Sequence, residues 1–204
     1  MTDPDTDINQ AHREKMAKIK AVKDRIYASK TKEKGLLIVH TGTGKGKSTA
    51  AFGLVMRTIG HGLKVGVVQF VKGRRETGER LILERFPDQI TVKVMGEGFT
   101  WETQDRERDI EAAEAAWREA LSMMAAPDLH LIVLDELNIV LRKDYLLVDK
   151  VVEGLLAKRP DVHVVVTGRN AKPELIEAAD LVTEMTLVKH PFREGVKAQL
   201  GIEF

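Results

Sequence analysis

The chain has 204 residues, a length that suits one substantial domain with an appendage. Its 43% hydrophobic and 31% charged residues are typical of a folded rather than a disordered chain. Its 32 Lys and Arg residues against 31 Asp and Glu residues leave a net charge of +1, which provides no global field for binding nucleic acid or an anionic membrane. The absence of cysteine excludes disulfide bonds, thiolate catalysis and cysteine-bound metal centres.

Residues 1–34 form a basic appendage that differs in composition from residues 35–204, which we expect to be the main domain. Met16, Ile19, Val22 and Ile26 recur at helical spacing, which predicts an amphipathic helix over residues 10–28. A solvated, frayed terminus is the alternative interpretation. The acidic start is unlike a basic signal peptide, and no apolar run approaches the ~20 residues of a membrane helix, so we expect a cytoplasmic protein.

Residues 35–204 alternate short β-branched runs with helical stretches. Predicted strands span residues 36–40, 65–70, 90–95, 129–134, 162–167 and 181–188, and predicted helices span residues 48–59, 104–126, 148–158 and 173–179. This alternation is typical of βαβ units and predicts an α/β fold with a mostly parallel sheet flanked by helices.

The most informative segment is HTGTGKGKSTA, residues 40–50, which connects a predicted strand to a predicted helix. Its glycines allow backbone N–H groups to turn inward, Lys47 supplies a positive charge, Ser48 is a ligand type for Mg²⁺, and the helix start adds a partial positive charge. The generic pattern G-x-x-x-x-G-K-[ST] has glycine where this chain has Thr41. The segment predicts a phosphate-binding loop, and a glycine-rich turn without a ligand is the alternative.

Two further segments end predicted strands with polar residues. LHLIVLDE delivers Asp135 and Glu136 from an apolar strand, where one carboxylate suits Mg²⁺ or its water shell and the other suits orienting a reacting group. VVVTGRN brings Arg169 and Asn170 to the same edge of the sheet, where arginine suits phosphate. A helix cap and a surface turn are the respective alternatives. Arg57, Gln69 and Lys72 are weaker candidates for the same pocket.

The segment MGEGFTWETQD, residues 95–105, combines glycines with Phe99 and Trp101, although aromatic residues make up only 5% of the chain. Two aromatic rings in one polar loop suit contact with a large flat ligand, whereas Trp117 on a predicted helix is better explained by packing. The alternative is that both loop rings fold back into the core.

The segments TGTGKGKSTAAFG, GHGLKVGVVQFVKG, GFTWETQD, LDELN, TGRN and VKHPFREGVKAQLGIEF occur in one collinear order over residues 35–204. Together they resemble the ATP-dependent corrinoid adenosyltransferases of the cobalamin pathway, of the phosphate-loop type, and Thr41 is also what that family shows. The resemblance implies a phosphate-loop NTPase-like (RecA-like) fold. It also implies transfer of the 5′-deoxyadenosyl group of ATP to the Co(I) of a reduced corrinoid, with release of triphosphate, in adenosylcobalamin biosynthesis or salvage.

The same resemblance implies roles for individual residues. Lys47, Glu136 and Arg169 would be catalytic, and Ser48, Asp135 and Glu136 would hold Mg²⁺ or Mn²⁺. The nucleotide would run opposite to its usual direction in phosphate-loop enzymes, and Phe99 and Trp101 would lie against the corrin. The residues implied to bind the ligands are Gly42, Thr43, Gly44, Lys45, Gly46, Lys47, Ser48, Thr49, Arg57, Phe99, Trp101 and Asn170.

The resemblance further implies a homodimer, an electron donor such as a reduced flavoprotein, and an N-terminal helix that covers an active site. Three other functions remain open: a RecA-like ATPase or nucleic-acid motor, a nucleotide-binding regulatory module, and a small-molecule kinase. Triphosphate as product would indicate adenosyl transfer, whereas ADP and phosphate would indicate hydrolysis.

Overall fold

The computed structural model describes residues 4–71, 77–95 and 105–203, with side chains from residue 8 onward. The chain divides into two compact units, Met1–Glu33 and Lys34–Phe204. The first contains helix α1, Pro4–Ala28, which begins earlier than predicted. The side chains of its apolar stripe are exposed, from 39% for Ile19 to 56% for Val22. The helical prediction for this segment is confirmed.

The second unit is an α/β domain. Its strands are β1 Leu37–Thr41, β2 Lys64–Gln69, β3 Ile90–Val94, β4 Leu129–Asp135, β5 His163–Thr167 and β6 Leu181–Glu184. Its described helices are α2 Lys47–Gly60, α3 Gly78–Leu83, α4 Arg106–Ala125, α5 Leu137–Arg142, α6 Val148–Leu156 and α7 Pro173–Ala178, followed by a 3₁₀ turn at Pro191–Glu194.

The six strands form one sheet in the order β3-β2-β4-β5-β1-β6, and every neighbouring pair is parallel. Strand β5 therefore separates β1, which leads into the glycine-rich loop, from β4, which ends at Asp135. Because the strands are parallel, their carboxyl ends share one edge of the sheet, and the register pairs His40 of β1 with Thr167 of β5.

Apolar side chains leave the sheet on both faces, because its central strands are covered on both sides. On one face, Ile38, Val133 and Val165 pack with Val55 of α2 and Leu83 of α3. On the other face, side chains of β1, β2, β4 and β5 pack with α4, α5, α6 and α7. The predicted α/β fold with a parallel sheet flanked by helices is confirmed.

Trp117 of α4 packs against the second of these layers, as predicted. Helix α6 approaches it so closely that a Cβ at Gly154 would lie 2.7 Å from Cζ2 of Trp117, which explains why α6 has glycine at this position. No helix within the described ranges is long and apolar enough to cross a membrane.

Three details differ from the sequence-based prediction. Strand β6 ends at Glu184, because Met185 leaves the strand ladder and its carbonyl accepts a hydrogen bond from Gly44 N–H. Helix α5 was not predicted, because its apolar sequence LNIVLR continues the composition of β4. The break between them comes from Glu136, whose φ of 65° ends the extended backbone. Helix α3 was also missed.

Candidate functional site

The phosphate loop lies between the end of β1 and the start of α2. Gly42 and Gly46 have φ of 94° and 104°, a region that side chains disfavour. The loop is also backed closely by the chain after β6. A Cβ at Gly42 would lie 2.7 Å from the Met185 nitrogen, and a Cβ at Gly44 would lie 2.7 Å from the Met185 oxygen. Glycine is therefore required at Gly42 by both conformation and space, and at Gly44 by space alone.

Lys47 is the first residue of α2 and is only 7% exposed. Its ammonium group donates a hydrogen bond to the carbonyl of Gly44. Burial lowers the pKa of Lys47 from its ordinary value, the charge of Glu136 raises it, and the charges of Arg169 and Lys45 lower it. The ammonium group thus sits in the field of both the acidic strand end and the arginine segment.

Asp135 is fully buried at the end of β4, and its carboxylate accepts hydrogen bonds from side chains of three different elements. Its Oδ1 accepts from Ser48 Oγ at 2.7 Å and from Thr167 Oγ1 at 2.8 Å, and its Oδ2 accepts from Gln69 Nε2 at 3.1 Å. The carboxylate therefore joins residues from the ends of β2, β4 and β5 to the first turn of α2. The structure brings Ser48 and Asp135 together, as expected, together with the weaker candidate Gln69.

Glu136 precedes α5 in a left-handed backbone conformation, and its N–H donates to Thr167 Oγ1 at 3.0 Å. Its carboxylate approaches the segment after β5, because Oε2 lies 3.3 Å from where a Cβ at Gly168 would stand. The buried Asn138 donates from Nδ2 to the Gly168 carbonyl at 3.0 Å. These contacts place Glu136 between Asp135 and the arginine segment.

Arg169 and Asn170 follow β5 and are both exposed. Gly168 has φ of 128° and Asn170 has φ of 54°, so Arg169 lies between two left-handed residues. Ala171 N–H, at the end of this segment, donates to Thr41 Oγ1 at 2.9 Å. The turn after β5 is thereby joined to the first residue before the phosphate loop.

The other predicted loop residues lie around this edge with differing exposure. Thr43 and Thr49 are exposed, and Lys45 is ion-paired with Glu203 near the end of the chain. Arg57 is exposed in the last turn of α2. It lies ten positions after Lys47, which corresponds to about 15 Å of helix, so the structure does not bring Arg57 to the loop. Its predicted role stays a prediction.

Phe99 and Trp101, predicted to contact the flat ligand, lie outside the described residues, as does Lys72. Sequence analysis missed His40, Asn138 and Thr167. The Nδ1 group of His40 lies 3.3 Å from the Lys47 carbonyl, beneath the loop. All three stand inside or beside motifs that were recognised. The partners of Asn138 and Thr167 are about 30 residues away in the sequence, whereas His40 contacts Lys47 within the same motif.

The polar groups present fit a divalent cation held jointly with a bound phosphate. No group of three or more His, Asp or Glu side chains suited to a metal occurs within residues 4–71, 77–95 and 105–203. Mg²⁺ characteristically takes one or two carboxylates, substrate phosphates and waters instead. A buried carboxylate 2.7 Å from a serine hydroxyl at the start of a phosphate-loop helix provides such a donor set.

The fold and this edge of the sheet define a phosphate-loop nucleotide-binding protein. A glycine loop feeds a helix N-terminus, a buried lysine lies in that loop, and an acidic pair ends the strand two places away in the sheet.

Comparison with known proteins identifies the family. Residues 33–204 match the model of the ATP:corrinoid adenosyltransferase family BtuR/CobO/CobP, and the chain belongs to that family. It is 58% identical over 196 residues to a corrinoid adenosyltransferase of Pseudomonas aeruginosa, covering 96% of this chain and 97% of that protein. A corrinoid adenosyltransferase of Sinorhizobium is 56% identical over 195 residues, with coverage of 95% and 91%.

The corrinoid adenosyltransferase CobA of Salmonella typhimurium is 44% identical over 196 residues, covering 96% of this chain and 99% of that protein. The predicted family is thus confirmed, and with it the class of enzyme: a transferase that uses ATP to adenosylate a corrinoid.

Proposed function

We propose that the carboxyl edge of the sheet binds the triphosphate of ATP so that the C5′ carbon of its ribose is exposed to the cobalt of a reduced corrinoid. The observation that carries this proposal is the convergence of Lys47, Ser48, Asp135 and Glu136 at one place, with Ser48 Oγ and Asp135 Oδ1 2.7 Å apart. Such a site holds phosphate firmly and leaves the adenosine end of the nucleotide to react.

The reaction is a displacement at carbon. Co(I) supplies an electron pair that forms the cobalt–carbon bond, the bond between C5′ and O5′ breaks, and its electron pair departs on triphosphate. Negative charge therefore grows on the phosphate chain as the bond breaks. The loop N–H groups, the Lys47 ammonium and the α2 N-terminus stabilise that charge without rearranging, which is how a preformed cradle lowers a barrier.

Each loop position has a specific part in this proposal. Gly42 and Gly46 present backbone N–H groups, and Gly44 lets the loop pack against Met185, whose carbonyl accepts the Gly44 N–H. Thr43, Lys45 and Thr49 border the phosphates with exposed polar side chains. Across the cleft, Arg169 and Asn170 contact the nucleotide. Arg57 is retained as a ligand-binding candidate on the basis of the resemblance alone.

Ser48, Asp135 and Glu136 are the residues that would hold Mg²⁺ or Mn²⁺ beside the phosphates. When bound, such an ion neutralises charge on the leaving triphosphate. Ser48 would supply a hydroxyl ligand, buried Asp135 would coordinate the ion or accept hydrogen bonds from its waters, and Glu136 would orient the nucleotide. No protein nucleophile or general base is needed, because the attacking electron pair belongs to the substrate corrinoid.

The corrinoid is proposed to lie against Phe99 and Trp101. These rings would cover one face of the corrin and exclude a lower axial ligand, which makes Co(II) easier to reduce. Trp101→Ala is expected to impair turnover from Co(II) corrinoid with a reductant more than turnover from preformed Co(I). Equal loss from both starting states would assign Trp101 to packing alone.

Three further properties complete the proposal: a homodimeric enzyme, an electron donor such as a reduced flavoprotein, and a cytoplasmic location. The family resemblance supports the first two, and the third is the expectation drawn from the sequence. Sedimentation equilibrium would test the dimer independently of activity, since a single species at the monomer mass would contradict it.

The activity is tested by anaerobic incubation of the protein with ATP, Mg²⁺ and a chemically reduced corrinoid. We expect the absorbance spectrum of an alkylcobalt corrinoid to develop with one equivalent of inorganic triphosphate. A panel of incomplete and complete corrinoids would then identify the preferred substrate. Formation of ADP and phosphate without an alkylcobalt spectrum would refute the proposed reaction.

A further inference from the structure

The residue before the phosphate loop has a side-chain contact that the activity described above leaves unexplained. Thr41 is 5% exposed, and its Oγ1 accepts the Ala171 N–H at 2.9 Å. The generic phosphate-loop pattern has glycine at this position, which would offer no acceptor. An acceptor here links the end of β1 to a segment 130 residues further along the chain.

The segment that receives this contact has an irregular backbone conformation. Gly168 and Asn170 both have positive φ, at 128° and 54°, a region that glycine adopts freely and asparagine more readily than most other residues. Arg169 lies between them and projects from the same turn. Its position therefore depends on whatever holds residues 168–171.

Two side chains hold that turn, one at each end. At its start, Asn138 Nδ2 donates to the Gly168 carbonyl at 3.0 Å, and the two residues are in direct contact, because a Cβ at Gly168 would lie 2.8 Å from Asn138 Cβ. At its end, Thr41 accepts from Ala171. Asn138 belongs to the helix after the acidic pair, whereas Thr41 is joined covalently to the phosphate loop.

The backbone of Thr41 is itself fixed by the chain of β6. Its backbone carbonyl accepts from Met185 N–H at 2.9 Å, and it pairs with Glu184 in the register of β1 and β6. A displacement of its hydroxyl relative to Gly42 is thus opposed by the sheet. The turn after β5 is consequently held at a fixed distance from the glycine loop.

We propose that Thr41 is a positioning residue that acts through Arg169: its hydroxyl, with the Asn138 amide, holds residues 168–171 so that the guanidinium group faces the phosphate loop. The proposal rests on the proposed contact of Arg169 with the nucleotide. It assigns a purpose to the replacement of glycine by threonine at the start of the loop.

The test is a double-mutant cycle on ATP affinity, measured by calorimetry at fixed Mg²⁺. Thr41→Val removes the acceptor and keeps the shape, and we expect it to raise the Kd for ATP about two- to tenfold, as for loss of one neutral hydrogen bond. In an Arg169→Ala background the same change should alter Kd less than about twofold, because coupled residues are not additive. Thr41→Ser should restore affinity in the parent background.

Thr58→Val is the matched control. Thr58 Oγ1 donates to the Leu54 carbonyl at 2.9 Å within α2, so this change removes a threonine hydroxyl away from the turn, and Kd should stay unchanged. Hydrogen exchange of the Ala171 amide provides a readout without nucleotide and should accelerate in Thr41→Val but not in Thr58→Val. Asn138→Leu, which removes the other support, is expected to show the same coupling to Arg169 if Thr41→Val does not fold.

The outcomes separate the two claims. Additive losses in Thr41→Val and Arg169→Ala would overturn the positioning role and leave the proposed function intact. Parent-like ATP affinity in Arg169→Ala would refute the proposed role of Arg169, and the positioning proposal with it. An unchanged exchange rate at Ala171 in folded Thr41→Val would also overturn the positioning role.

Discussion

Replacing Asp135 by asparagine separates the structural work of this buried carboxylate from its chemical work. Asparagine has the same shape, and its oxygen can still accept from Ser48 and Thr167. In the parent chain, Gln69 Nε2 donates to Asp135 Oδ2 at 3.1 Å. In the variant, the asparagine NH₂ group would replace that acceptor and would face another donor. Leaving one buried donor without an acceptor costs about 1–3 kcal/mol, and rotation of the Gln69 amide would bring the cost to the lower end of that range.

The loss of activity in Asp135→Asn should be larger than partial unfolding of the variant could explain. An amide is neutral and a poor partner for a hydrated divalent ion, and loss of a group of this kind typically costs about 10- to 100-fold in metal affinity or activity. We therefore expect Asp135→Asn to unfold slightly earlier in urea while its triphosphate release falls by that factor. Part of the activity should return at high Mg²⁺.

Asp180→Asn is the matched control for this experiment. Asp180 Oδ2 accepts the Leu37 N–H at 2.9 Å at the start of β1, so the same chemical change falls at the opposite edge of the sheet. It should lower stability and leave turnover per folded molecule unchanged. If Asp135→Asn kept full turnover at low Mg²⁺, or if both variants lost activity in proportion to stability, the carboxylate would have no chemical role.

Two other changes test charges at the site, and a third tests a histidine at the opposite edge of the sheet. Lys47→Ala should reduce turnover about 100- to 1,000-fold by removing a preformed cation, and near-parental rates would contradict that role. Glu203→Gln removes the ion pair of Lys45 and should lower the Kd for ATP about two- to fivefold at low salt, with a smaller effect at high salt. Weaker ATP binding in this variant would show that Glu203 orients Lys45 instead. Burial lowers the pKa of His163, whose ring nitrogen accepts the Leu36 N–H, so the stability of the fold should decrease as pH drops below about 6.5. His163→Asn keeps an acceptor and should flatten the dependence of Tm on pH. An unchanged slope would show that His163 is not the group responsible.

Local pattern was sufficient for much of the fold. The β-branched runs predicted all six strands to within a few residues. The four central strands β1, β2, β4 and β5 are apolar almost throughout because helices cover both faces of the sheet there. The edge strands β3 and β6 are more exposed and were found from their short β-branched runs alone. Helix α5 escaped prediction, since LNIVLR has the same composition as the strand before it and is separated from that strand only by the backbone conformation of Glu136.

The site shows the same division between local and distant information. Gly42, Lys47 and Ser48 are recognisable because a phosphate loop is contiguous in sequence. The contacts of Thr41 with Ala171 and of Asp135 with Thr167 join residues far apart along the chain, and nothing in either short segment names its partner. The order of the strands, which decides those partners, also lies beyond a single sequence.

The packing of Met185 and Thr186 against Gly42 and Gly44 has a consequence for biosynthesis. Residues 42–48 leave the ribosome long before residues 185 and 186 do. A growing chain therefore carries the glycines and lysines of the loop without the wall that shapes them. We expect nucleotide capture to require a chain that includes residues 185 and 186, so a product stalled before residue 185 should not sequester ATP in the cell.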